Sequence, residues 1–189
     1  MRQKSSFRAQ RSVLTASAAI CAAIAALVAN LGGGAVAAQD KYSLAVPDGL
    51  AFSEFRGFED WATVAVSQSG DLIEAILANP VMIEAYRAGA PENGQPFPDG
   101  SKLAKIHWNA KKSEEAPSPT IVPGALHDVD FMVRDSKRFP DIGGWGYAQF
   151  DSDPASGSFT PVGSGADCGF ACHTIVKAKD YVFTAYGKR

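Results

Sequence analysis

Near its C-terminus the chain reads Asp167-Cys168-Gly169-Phe170-Ala171-Cys172-His173. Two thiols and an imidazole this close together support three chemistries. The cysteines can pair as a disulfide, or the three residues can contribute to a metal site. Alternatively the cysteines can add to the vinyl groups of a haem while the following histidine ligates its iron. The usual attachment motif is C-x-x-C-H. Here the pattern is C-x-x-x-C-H, so one extra residue must bulge, and Gly169 gives the backbone that freedom. Structural zinc wants four ligands, and the sequence has one close cysteine pair and 3 histidines.

Two charged residues stand out because they interrupt apolar runs. Lys105 lies between Ala104 and Ile106, and Asp130 lies between Val129 and Phe131. Burying either charge is costly. The alternatives are a lysine whose tip snorkels to water and a carboxylate on a solvated face. His107 and His127 read as packing or surface residues. Arg134, Asp135, Lys137 and Arg138 read as a charged turn. Trp108, Phe131, Trp145, Tyr147 and Phe183 are expected in the core first and as pocket walls second.

These residues need elements to position them. Trp61 to Val66 reads as a strand. Asp71 is expected to cap a helix through Leu72, Ile73, Ile76 and Leu77, which repeat at helical spacing. Pro80 can open a second helix through Met82, Ile83 and Tyr86. Strands are expected over Ser101–Asn109, Ala125–Arg134, Trp145–Phe150 and Tyr181–Tyr186. Along the first of these, Ser101, Leu103, Lys105 and His107 share one face, and Lys102, Ala104, Ile106 and Trp108 share the other. On the second, Val129, Phe131 and Val133 oppose Leu126, Asp128, Asp130 and Met132. Residues 39–57, 111–123 and 151–165 read as loops, the first around a Pro47-Asp48-Gly49 turn. The expected class is α+β, an antiparallel sheet of about five strands with one or two N-terminal helices beside it.

The first 38 residues have a different character. Arg2, Lys4, Arg8 and Arg11 precede an Ala-rich apolar run and the small-residue stretch Ala35-Val36-Ala37-Ala38. A basic head, an apolar middle and a small-residue cleavage site read as a secretory signal peptide. An uncleaved anchor is the alternative, but alanine contributes little to insertion. Export would leave one domain, residues 39–189. Cleavage removes four basic and no acidic residues, leaving 14 basic against 20 acidic. Such an acidic domain argues against nucleic acid as partner and against anionic membrane. In an oxidising compartment Cys168 and Cys172 are not expected to stay free.

From about Val46 to Arg189 the chain resembles the cytochrome P-460 family of periplasmic haem proteins, a group similar to cytochrome c'-beta. Three blocks carry the resemblance: Phe97-Pro98-Asp99-Gly100-Ser101-Lys102-Leu103-Ala104-Lys105; Val129 to Phe139 followed by Gly144-Trp145; and Cys172-His173 followed by Asp180-Tyr181-Val182-Phe183-Thr184. The resemblance implies one covalent haem c per chain, attached at Cys168 and Cys172 with His173 as proximal iron ligand. It places Lys105 where the family cross-links a lysine to a haem meso carbon. It places Asp130 where the family has a distal proton-handling glutamate. It further implies periplasmic hydroxylamine oxidation with nitric oxide chemistry and a homodimer, while the acidic charge of residues 39–189 permits, without demanding, a basic redox partner protein. A branch that binds nitric oxide without turnover is the second expectation. A haem-free domain with a Cys168–Cys172 disulfide is the third.

Overall fold

The computed structural model describes residues 38–47, 49–163 and 169–187. Nearly all of the expected signal peptide, together with Cys168, lies outside the described residues. Among those described, no helix is long and apolar enough to cross a membrane.

Six antiparallel strands follow one another in a single sheet in chain order: β1 (Ala62–Ser69), β2 (Leu72–Ala78), β3 (Lys102–Lys112), β4 (Ile121–Arg134), β5 (Trp145–Asp153) and β6 (Ser158–Val162). One helix of two turns, α1 (Pro80–Arg87), connects β2 to β3, and a short helical segment, α2 (Ala171–His173), follows the sheet. The α+β class therefore fits, with six strands where about five were expected. The N-terminal lead-in is not α-helical. It makes 3-10 turns at Lys41–Ser43, Phe52–Phe55 and Phe58–Asp60.

Three elements depart from the sequence reading. The helix expected after Asp71 is strand β2. Its seven residues are too few for periodicity to separate helix from strand. In the sheet its apolar residues serve both faces, with Ile76 in one core cluster and Leu77 in the other. Gly70, at φ 56°, and Asp71 make the two-residue turn between Ser69 and Leu72, a hairpin connection that needs positive φ. Strand β6 lies inside the stretch expected to be a loop. Its Pro161 is tolerated because β6 is an edge strand. Residues Tyr181–Tyr186 alternate like a strand but form none. They lie outside the sheet, and the Tyr86 hydroxyl donates to the Thr184 carbonyl at 2.9 Å.

Helix α1 follows its sequence signals. The Asn79 side chain accepts from the Met82 N–H at 3.1 Å, and Pro80 occupies the first helical turn, where it has no N–H to lose. Met82, Ile83 and Tyr86 form its buried face.

The sheet separates two cores. On one face Leu50, Phe52, Phe55 and Phe58 of the N-terminal turns pack on Ala104, Val129, Phe131, Ala148 and Phe150. Phe55 stacks on Phe131 with ring centres 4.1 Å apart. On the other face α1, Tyr181 and Val182 pack on Ile76, Leu103, Met132, Trp145 and Tyr147. The expected faces of β3 hold. On β4 they hold from Asp128 onward but not at Leu126, which joins the Phe131 side. A β-bulge causes this: His107 pairs with Asp128 while Trp108 pairs with Leu126, so His127 is an extra residue and the alternation slips by one.

Candidate haem site

The helix-bearing face of the sheet carries a cavity of about 400 Å³, within the range of small-molecule and cofactor pockets. Lys105, Asp130, Cys172 and His173 all line it. Two of them come from neighbouring strands and two from the segment after the sheet. Cys168 lies outside the described residues, so its position relative to the cavity is not defined.

His173 is oriented from behind. Its Nδ1–H donates to the Tyr181 carbonyl at 2.6 Å. That bond fixes the tautomer and leaves Nε2 as the free lone pair, the arrangement by which proteins aim a metal-ligating histidine. Burial lowers its pKa, with Lys105 adding to the effect against the Tyr181 bond, so the ring is neutral when a metal would need it. The rings of Tyr147 and Phe183 flank it at 5.1 and 4.9 Å between centres.

The Tyr181 carbonyl is in turn held by a strained corner. Asp180 and Tyr181 both adopt left-handed backbone, φ 51° and 63°. Non-glycine residues pay for that conformation, so the surroundings must enforce it. Asp180 accepts from the Phe97 N–H at 2.8 Å and from Arg134 Nη1 at 3.2 Å, and Arg134 also donates to the Gly143 carbonyl. A side chain at Gly143 would run into the Tyr181 ring. Burial raises the Asp180 pKa, opposed by the Phe97 and Arg134 contacts. Arg134 is therefore not part of a solvated charged turn. The three sequence blocks of the resemblance converge at this corner and support His173 from behind.

The opposite wall is polar. Lys105 and Asp130 are direct partners across β3 and β4. Burial foremost, and then the charge of Asp128, push the Asp130 pKa up to about 6, against the pull of His107 and Lys105. Its Oδ1 is buried with no hydrogen-bond partner. Lys105 Nζ lies 3.2 Å from Glu74 Oε1. Glu74, His107 and Asp128 are buried beside it, and sequence reading missed them as a group. Glu74 did carry a signal, a carboxylate inside the apolar run Leu72-Ile73-Glu74-Ala75-Ile76. His107 is buried, but in a polar cluster and not by packing alone.

This donor set fits a haem. An imidazole with one free nitrogen stands next to a cysteine, aromatic rings flank it, and a buried carboxylate oxygen without a partner lines the same cavity. Gly169, between the two cysteines, approaches so closely that a Cβ there would overlap the Tyr147 ring. Of the expected aromatic walls, Tyr147 and Phe183 line the cavity, whereas the Phe131 ring packs on Phe52 and Phe55 on the other face of the sheet and Trp145 is fully buried in the core.

A comparison with curated proteins returns no match. A comparison with protein families matches residues 55–184 to Cytochrome P460, which spans all six strands, α1, His173 and the Asp180–Tyr181 corner. The chain belongs to the cytochrome P460 family and is a haem cytochrome of that kind.

Proposed function

We propose that the protein is an exported c-type cytochrome that oxidises hydroxylamine, with nitric oxide as a ligand or reactant. The observation that carries this reading is the convergence of Lys105, Asp130, Cys172 and His173 on one cavity, although they lie far apart in the chain. Cys168 and Cys172 would hold the haem through thioether bonds. His173 would ligate the iron through Nε2, and Lys105 would add the family's cross-link to a meso carbon. When bound, the haem supplies a redox-active iron with a position open to a small nitrogen ligand. Asp130 then acts as general base, taking protons from hydroxylamine nitrogen and oxygen onto its carboxylate. A base works best with a pKa near the working pH, and Asp130 at about 6 is close to it. The Tyr181 carbonyl keeps His173 in one tautomer throughout.

A second reading, nitric oxide binding without turnover, is favoured by one observation. Lys105 Nζ lies 3.2 Å from Glu74 Oε1, an ion pair that competes with the cross-link for the amine. The expected signal peptide would send residues 39–189 to the periplasm. There an acidic domain suits a basic redox partner, and a homodimer remains the family's implication.

The test is expression in a host that matures cytochromes c, followed by intact-mass analysis and a hydroxylamine assay with an artificial electron acceptor. Added haem mass together with hydroxylamine consumption is the expected result. Haem without turnover selects the gas-binding reading. A mass without haem overturns both.

A further inference from the structure

Three ionisable side chains are buried in a row that starts at the pocket wall: Glu74 at 8%, His107 at 6% and Asp128 at 3% exposure, of which Glu74 lines the pocket. They are register partners on β2, β3 and β4. Their contacts run without a break. Glu74 Oε2 accepts from Ser67 Oγ at 2.5 Å, and Glu74 Oε1 lies 3.5 Å from His107 Nε2. His107 Nδ1 bonds Asp128 Oδ1, and Asp128 Oδ2 bonds His127 Nδ1. Glu74 lines the cavity at one end. At the other end the His127 side chain is 47% exposed. The β-bulge supplies the last link, because the extra residue His127 is turned toward the side chain of its own neighbour.

Stability does not explain such a row. Buried ion pairs rarely outdo well-packed apolar residues. Chains of Asp, Glu and His are what proteins use to conduct protons. We propose that Glu74, His107, Asp128 and His127 form a proton path between the pocket and solvent. A proton received on Glu74 Oε1 passes to His107 Nε2 as His107 releases its Nδ1 proton to Asp128 Oδ1. Asp128, kept ionised by His107 and His127, is neutral once it holds this proton; a half-turn of its carboxyl brings the same proton to His127 Nδ1, and His127 releases one from Nε2 to water. Each group ends with the number of protons it began with. A half-turn of each side chain, or the reverse transfer within the cycle, resets the path.

The charged groups around His107 favour this role. Glu74 faces it from β2, Lys105 from its own strand, and Asp128 and Asp130 from β4, the latter with Oδ2 at 3.9 Å from Nδ1. Burial by itself would lower the His107 pKa, but Asp128 and Asp130 outweigh both burial and Lys105 and raise it. Asp151 of β5 stands next to Asp128 in register and acts on Asp130.

The direction of flow, from pocket outward, rests on the hydroxylamine reading. The existence of the path does not. The experiment therefore has an arm without turnover. In the haem-loaded protein, the infrared band of the protonated Asp130 carboxyl, identified by its loss in Asp130→Asn, is followed after a pH jump across its pKa. We expect His127→Gln to slow its decay about tenfold or more, and added imidazole to restore it. An unchanged rate in His127→Gln, a slowed rate that imidazole does not restore, or the lack of a titrating band overturns the path. In the second arm, His127→Gln lowers hydroxylamine turnover in weak buffer, and imidazole rescues it. No turnover in the wild type, together with an imidazole-rescued pH-jump rate in His127→Gln, sinks the hydroxylamine reading and leaves the path standing.

Discussion

Lys105 and Asp130 are 25 residues apart in the chain and directly opposite each other in the sheet, where both line the cavity that holds His173. The β3–β4 hairpin makes them neighbours. A one-residue slip in its register would send one of them to the Phe52 core instead. Their juxtaposition fixes the polarity of the pocket wall and underlies the first two predictions.

Asp130→Asn should abolish base-dependent turnover, whereas Asp130→Glu should retain most of it. The wild-type rate should rise with pH through about 6 as Asp130 becomes ionised. Stability should move the other way. The folded-state pKa lies above the ordinary value of 3.8, so the folded protein binds this proton more tightly than the unfolded chain. The contribution is present at low pH and is lost as pH rises through about 6. Asp130→Asn should therefore gain stability over wild type above that pH and not well below it. Urea unfolding at the two extremes checks the sign.

Replacing Lys105 by Leu removes the ammonium 3.2 Å from Glu74 Oε1. Haem attachment through the cysteines should survive, and the absorption spectrum should become that of an ordinary c-type haem. A wild-type spectrum that is already ordinary would refute the cross-link. Burial already works to raise the Glu74 pKa, while Ser67, Lys105 and His107 hold it below its ordinary value. Losing Lys105 should let it rise, which carboxyl infrared bands can follow.

The site was more legible in the sequence than the topology around it. Cys172, His173, Lys105 and Asp130 were readable because each is a reactive or charged group out of place in its local pattern. The roles of Glu74 and His107 were not readable, because they depend on register. Glu74 meets His107 only when β2 pairs with β3, and nothing within either segment specifies that pairing. Short range also explains the misread elements. Leu72–Ala78 satisfies helical spacing and β2 equally, and the two cores on opposite faces of the sheet decide between them. Tyr181–Tyr186 has strand alternation, but two left-handed residues, Asp180 and Tyr181, turn the chain away first. Arg134 looked like part of a surface turn because its partner, Asp180, lies 46 residues on.

The Asp180 corner should be costly to disturb. Asp180→Ala leaves the Phe97 N–H and Arg134 Nη1 without the carboxylate and keeps a non-glycine residue at positive φ. We expect a loss of about 2–4 kcal/mol in chemical denaturation. Asp180→Asn should cost less, because asparagine tolerates left-handed backbone and can still accept one bond. Haem-loaded Asp180→Ala should also show altered axial ligation by magnetic circular dichroism, since the Tyr181 carbonyl that orients His173 would shift. An unchanged ligation signature would mean that the corner supports the fold alone.

Phe52→Ala separates stability from the site. Phe52 is fully buried, and its ring centre lies 5.1 Å from that of Phe131 and 4.9 Å from that of Phe150, in the core opposite the cavity. Truncation should cost about 3–5 kcal/mol through lost burial and the void left behind. The sheet stands between this cluster and the pocket, so haem content and absorption spectrum should match wild type in the folded fraction. Gly169→Ala should do the reverse. Its Cβ would overlap the buried Tyr147 ring at the pocket wall, so haem loading in the maturing host should fall by more than the accompanying loss in melting temperature of the haem-free protein accounts for. If both variants lose haem in proportion to their stability, the pocket would depend on the whole fold, and the division of the molecule into a packing face and a haem face would be wrong.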